Sequence, residues 1–164
     1  MLVVAGMAVV LRVADALPGA ALGLPRGVRR VDALADLERI TGRRMPVPAY
    51  YPDTIEWPPI EGRYDMAGSA AIWCRHRSSG VTGLIVATAP PGMDRIAPGV
   101  MPGSADLQRE DGAMHGRPAT LARVRGIDGA VWQQVQWRGL HQIIMVRYRG
   151  TLDELMKVAG SIHE

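Results

Sequence analysis

"GAVWQQVQWRGLHQIIMVRYRG", residues 129–150, decides the fold class. In its first half Val131, Gln133, Val135 and Trp137 alternate with Trp132, Gln134 and Gln136, the two-residue period of a strand with one buried face. "LHQIIMVRYRG" follows as a second strand, and Arg138-Gly139 reads as a two-residue hairpin connection. "PATLARVRG", just upstream, is a third. The same period runs through "SAAIWCRHR" and "TGLIVATAP", which the turn chemistry of "SSGV" joins into a hairpin.

Two amphipathic helices bracket these strands. "VDALADLERITG" spaces Val31, Leu34, Leu37 and Ile40 near one helical face, with Asp32 as the expected N-cap and Gly42 as the stop. "TLDELMKVAGSI" carries a capping box, Thr151 with Glu154, ahead of an apolar stripe of Leu152, Leu155, Met156, Ala159 and Ile162. The predicted class is α+β: an antiparallel sheet of about five strands with a helix before and after it, plus an N-terminal apolar helix. The chain has 164 residues, 48% of them hydrophobic and none of them Phe, enough for one domain with a real core.

Residues 1–24 are read separately from a single domain over residues 25–164. "MLVVAGMAVVL" is too short to cross a bilayer core alone, which needs about 20 helical residues. The apolar run resumes past Arg12 and Asp15, which are three apart and able to pair on one helix face. A cleaved signal peptide, a membrane anchor or retained signal anchor, and a buried amphipathic helix are all compatible with it. We expect the anchor. The arginines that follow, Arg26, Arg29 and Arg30, favour the cytoplasmic side by the positive-inside rule.

Two further segments stand apart from helix and strand. Residues 46–59 contain Pro46, Pro48, Pro52, Pro58 and Pro59, which fix φ and remove backbone donors, so neither a helix nor a central strand fits. This strap carries Tyr50, Tyr51 and Trp57. Its rings are expected to close one end of the core, a partner platform being the alternative. Residues 90–112, rich in Pro, Gly, Asp and Ser, are read as one long loop. A loop of that length suggests a partner that holds it.

Chemistry is sparse. His76, His115, His141 and His163 show no metal or haem spacing. Cys74 and His76 lie two apart on a strand, about 7 Å between parallel side chains, too far for a nucleophile pair. No phosphate-binding or nucleophile-elbow motif is present. The formal charge is +3, and Lys157 is the only lysine among 19 basic residues. Arg123, Arg125, Arg147 and Arg149 are expected to share one outer sheet face, a solvated or acid-docking surface in preference to a nucleic-acid site.

The helix "LADLERITG", the P-x-Y-x-P of "PAYYP", the strands, and the closing G-x-x-x-E-L-x-x-x-A-x-S helix resemble a bacterial extracytoplasmic β-sheet domain of unknown function. That domain stands at the C-termini of anti-sigma-factor-like transmembrane regulators and is distantly lipoprotein-carrier-like. The resemblance implies a domain without catalytic residues or cofactor, on the periplasmic side of a bacterial inner membrane. The expected function is a non-catalytic accessory or assembly subunit docking on a larger membrane complex, such as a respiratory or photosynthetic one. The alternative is a lipid or hydrophobic-ligand carrier, or an envelope sensor-regulator. The expected partners are complex subunits and, through residues 1–24, the bilayer; nucleic acid and small-molecule substrates are not expected. Interface candidates are Leu2, Val9, Leu11, Arg12, Asp15, Tyr50, Tyr51, Trp57, Met93, Ile96 and Met101.

Overall fold

A computed structural model describes residues 25–163. The anchor reading and the candidates Leu2, Val9, Leu11, Arg12 and Asp15 lie outside the described residues. Among those described, no helix is long and apolar enough to cross a membrane.

The expected sheet of about five strands is corrected to a single sheet of eight, all antiparallel: β1 (Val28–Val31), β2 (Glu61–Asp65), β3 (Ala70–Arg75), β4 (Thr82–Ala89), β5 (Ser104–Met114), β6 (Arg117–Gly126), β7 (Val131–Arg138) and β8 (Ile143–Tyr148). Among the described residues two short helices accompany it, α1 (Leu34–Thr41) and α2 (Leu152–Gly160). The order across the sheet is β1-β2-β3-β4-β8-β7-β6-β5.

The three unexpected strands have weak local signals and are held by their neighbours. β2, "EGRYD", holds Glu, Gly and Asp, all poor strand formers. Gly62 is needed there because a Cβ would come within 2.8 Å of Val31 Cγ2 and 3.1 Å of Leu37 Cδ2. β1 is four residues long, with two arginines. β5 replaces the second half of the expected long loop and has no apolar period. It is fixed by ladder bonds to β6, with a register shift between Asp106 and Gln108. The β7–β8 connection is longer than the expected two residues: Gly139 N–H donates to Gln142 O at 2.8 Å.

The central strands are covered on both faces. On the first, α1, α2 and the strap pack on Ile72, Cys74, Leu84, Val86, Val135, Trp137, Ile144, Val146 and Tyr148. The capping box of α2 forms as expected, with Glu154 N–H donating to Thr151 Oγ1 at 3.3 Å. Gly42 ends α1 at φ 65, the left-handed stop its sequence suggests; the cap at its start is Ala33, with no side-chain bond, in place of Asp32.

The second face is closed by residues 90–103. The chain must pass from β4 to β5 over β8, β7 and β6, a distance of about 19 Å at the usual strand spacing. On the way Ile96, Val100 and Met101 bury themselves against Trp73, Ile85, Val124, Trp132 and Met145, with Met93 packed beside them. The sheet also holds the loop by its carbonyls. Arg138 donates to Pro91 O (2.8 Å), Trp73 Nε1 to Val100 O (3.2 Å) and Arg147 to Pro102 O (2.8 Å). The expectation that a partner orders this loop is therefore corrected: it is the crossover of the sheet, and the chain's own core fixes it.

Cys74 sits at 0% exposure under the strap. Burial pushes its thiol pKa from 9.0 up to about 12. Between those values the unfolded thiol loses its proton while the folded one keeps it. Its stabilising contribution is thus complete below pH 9 and fades as pH rises toward 12. We expect urea-derived stability to fall from about pH 9 upward, by at most about 1.4 kcal/mol per pH unit from this group. Cys74→Ala should make that limb shallower; an unchanged slope would show the thiol ionising freely in the native state.

Candidate functional site: an aromatic strap and an uncovered sheet wing

The strap runs over the first face from the end of α2 to the end of β3, tied along its length. Pro48 bridges Ile162, and Ala49 N–H donates to Ser161 O at 3.2 Å. Tyr50 N–H donates to Ser161 Oγ at 3.0 Å. Farther along, Arg77 clamps it from the β3–β4 turn, donating from Nε to Asp53 O (3.0 Å) and from Nη2 to Ile55 O (3.1 Å). Ile55 is buried beneath, and Glu56 N–H donates to Arg75 O at 2.9 Å. The Thr54 hydroxyl shares a 3.2 Å hydrogen bond with Tyr148 Oη, which donates to Glu154 Oε2 at 3.2 Å. Prolines preset this backbone, so little conformational freedom is left to lose.

The rings it carries are only partly used by the fold. Trp57 is 42% exposed and Tyr50 39% exposed. Tyr51, half-buried, stacks on Trp57 with ring centroids 4.5 Å apart and planes tilted by 33°. The expectation that all three rings are buried is corrected: aliphatic Ile55, with Met45, fills the core under the strap instead. Tyr51 Oη is buried without a hydrogen-bond partner among the described residues. Burial, then the nearby Cys74, raises its pKa, so the phenol stays neutral.

Ile96 and Met101, both proposed interface residues, are 7% and 5% exposed, and Met93 is half-buried beside them. They serve the core of the second face.

The other open surface is the wing formed by β5 and β6. Ten of the eleven residues of β5 are exposed, and its outer edge has no neighbouring strand among the described residues. Asp106, Arg109, Glu110 and Asp111 decorate it, as charges do on edges that resist chance pairing. The hairpin tip is held against α2, with His115 Nε2 3.2 Å from Ala159 O and its ring 5.9 Å from that of Trp137. Toward its other end a shallow groove of about 250 Å³ opens between the sheet and the first turn of α2, lined by Gln108, Glu110, Leu121, Arg123, Gln133 and Leu152.

The expected four-arginine stripe is split by register. Arg123 is opposite Gln133, and Gln133 is opposite Tyr148, so Arg123 shares its face with Tyr148 and not with Arg147. Arg123 and Arg125 are exposed on the first face. Arg149 packs over Trp132 on the second, 4.4 Å from the ring centroid, and pairs with Asp128. Arg147 is 3% exposed. It donates to Gln134 Oε1 from Nε (3.0 Å) and Nη2 (2.6 Å), to Pro102 O, and to Ser104 Oγ (3.0 Å). Burial lowers its pKa to about 10, opposed by Asp106, so it is still charged at neutral pH. Residue spacing places it on the outer face, and the structure buries it. The one available signal was an Arg in a strand whose neighbours Ile143, Ile144, Met145 and Val146 are all apolar.

Nothing among the described residues assembles nucleophile chemistry. Cys74 is protonated inside the core, and the β-bulge after it separates it from His76. His76 Nδ1 meets Ser78 Oγ at 3.1 Å in an exposed turn, an ordinary local contact. Three or more His, Cys, Asp or Glu do not converge into a metal-binding group among the described residues. No protein-family model, curated protein or solved structure matches this chain.

Proposed function

We propose that this chain is a docking domain, an accessory or assembly subunit of a bacterial membrane complex, which meets its partner through Tyr50, Tyr51 and Trp57. One observation carries the reading: a backbone tied at both ends holds two large rings about two-fifths exposed. Aromatic residues on rigid supports are the usual energetic centres of protein interfaces, because little side-chain entropy is lost when they are covered. Extended recognition segments also dock on aromatic rings set in this way. Among the described residues no nucleophile, base or metal set converges, and docking is the reading that their open surfaces support. A carrier of lipids is less well supported, since helices and strap fill the first face of the central strands and the crossover fills the second. Attachment through residues 1–24 and a periplasmic location belong to the same proposal and rest on the resemblance and the apolar N-terminal run.

Native mass spectrometry of the protein taken from its source membrane tests the reading. A stoichiometric complex with a second protein is expected, and Trp57→Ala with Tyr50→Ala should shift the population to free monomer. A monomer carrying lipid and no protein partner would replace docking with the carrier reading.

A further inference from the structure

The groove beside the β5–β6 wing has a charge pattern that the domain itself does not neutralise. Arg123 and Arg125 point to the first face with neither a hydrogen bond nor an ion pair to the described residues, while Glu110 and Glu154 on the same face bond to other side chains. Glu110 accepts from Gln108 Nε2. Glu154 is held by Thr151 and Tyr148. Beside the two guanidinium groups lie apolar Leu121, half-buried, and Leu152, 41% exposed, on the two walls of the groove.

Leu121, Arg123 and Arg125 are alternate residues of one strand, so they form a row with steps of about 7 Å on a single face. An extended peptide laid along β6 presents its own alternate side chains with the same step. The geometry points to a second docking site, for an extended acidic segment of a partner protein with an apolar residue followed by two carboxylates at alternate positions. The apolar side chain sits between Leu121 and Leu152, and the carboxylates meet Arg123 and Arg125. Guanidinium groups suit this task because each can bind a carboxylate in a bidentate manner. An extended peptide offers both an apolar side chain for Leu121 and Leu152 and carboxylates for the arginines, whereas a nucleic-acid duplex brings no such apolar side chain to the groove. This site is separate from the aromatic strap and does not depend on it.

The test is binding of a fluorescent Leu-Ser-Glu-Ser-Glu peptide to the full chain, followed by anisotropy. A Leu-Ser-Lys-Ser-Lys peptide and phosphatidylglycerol vesicles serve as alternatives. The acidic peptide should bind, with affinity falling as salt rises. R123E combined with R125E should weaken it at least tenfold and create binding of the lysine peptide, the charge-swap signature of direct pairing. Both residues are exposed, so the variant should melt as the wild type does. Equal binding by wild type and variant, vesicle binding without peptide binding, or no binding at millimolar peptide would each overturn the proposal.

Discussion

Arg147→Ala should lower the unfolding free energy by about 3–5 kcal/mol, since each buried acceptor left unpaired costs about 1–3 kcal/mol and the lost stem adds a cavity. The guanidinium supplies the donors for Gln134 Oε1, Pro102 O and Ser104 Oγ where the crossover ends and β5 begins. Truncation leaves those acceptors unpaired in a site too enclosed for free hydration and opens a cavity along the lost stem. It also releases the crossover from the second face, so Trp132 and Met145 lose part of their cover. Arg147→Met keeps the stem packing and removes the cost of burying a charge, whose size is visible in the pKa drop to about 10. It should therefore lose less than the alanine variant. Urea denaturation of both variants checks the order, and equal losses would assign the effect to the lost guanidinium hydrogen bonds, with no share for the stem.

Trp137→Ala should cost a comparable 3–5 kcal/mol, the usual amount for a buried large ring. Trp137 is 2% exposed and stands opposite Ala119 on β6 and Ile144 on β8. The small side chain of Ala119, and the regular ladders on both sides, leave the site little means to collapse. His115, whose ring lies 5.9 Å from this indole, should also lose its fixed place against Ala159 O, loosening the wing tip from α2. Faster amide exchange at the tip of the β5–β6 hairpin, beyond the loss in global stability, is the second readout.

Elements with a dense periodic signal were legible in the sequence. The alternation in β7, the apolar runs of β3, β4 and β8, and the capping box of α2 all fold where their residues indicate. The strands that were not legible owe their form to neighbours. β2 and β1 complete a ladder begun by β3, and β5 pairs with β6 while presenting nearly every side chain to water. No period exists for such a strand, because neither face is buried. Topology hid the rest. Residues 90–103 look like a free loop until the sheet order makes them the link between β4 and the far edge, and Met93, Ile96 and Met101 change from surface candidates to core. The same register places Arg147 inside and Arg123 outside, which residue spacing alone could not do. At the candidate site, the prolines revealed a stiff strap, but which of its side chains turned inward depended on Ile55 filling the space under it.

Trp57→Ala shows whether the strap stands by its own backbone ties and leaves its rings for a partner. At 42% exposure the indole gives the fold its covered area and its stack on Tyr51, the stack being worth about 0.5–1.5 kcal/mol beyond that area. The unfolding free energy of the isolated chain should fall by clearly less than the loss in Trp137→Ala, whose ring is 2% exposed. A loss of about 3–5 kcal/mol, the amount expected of a buried ring, would make Trp57 a core residue and contradict the account.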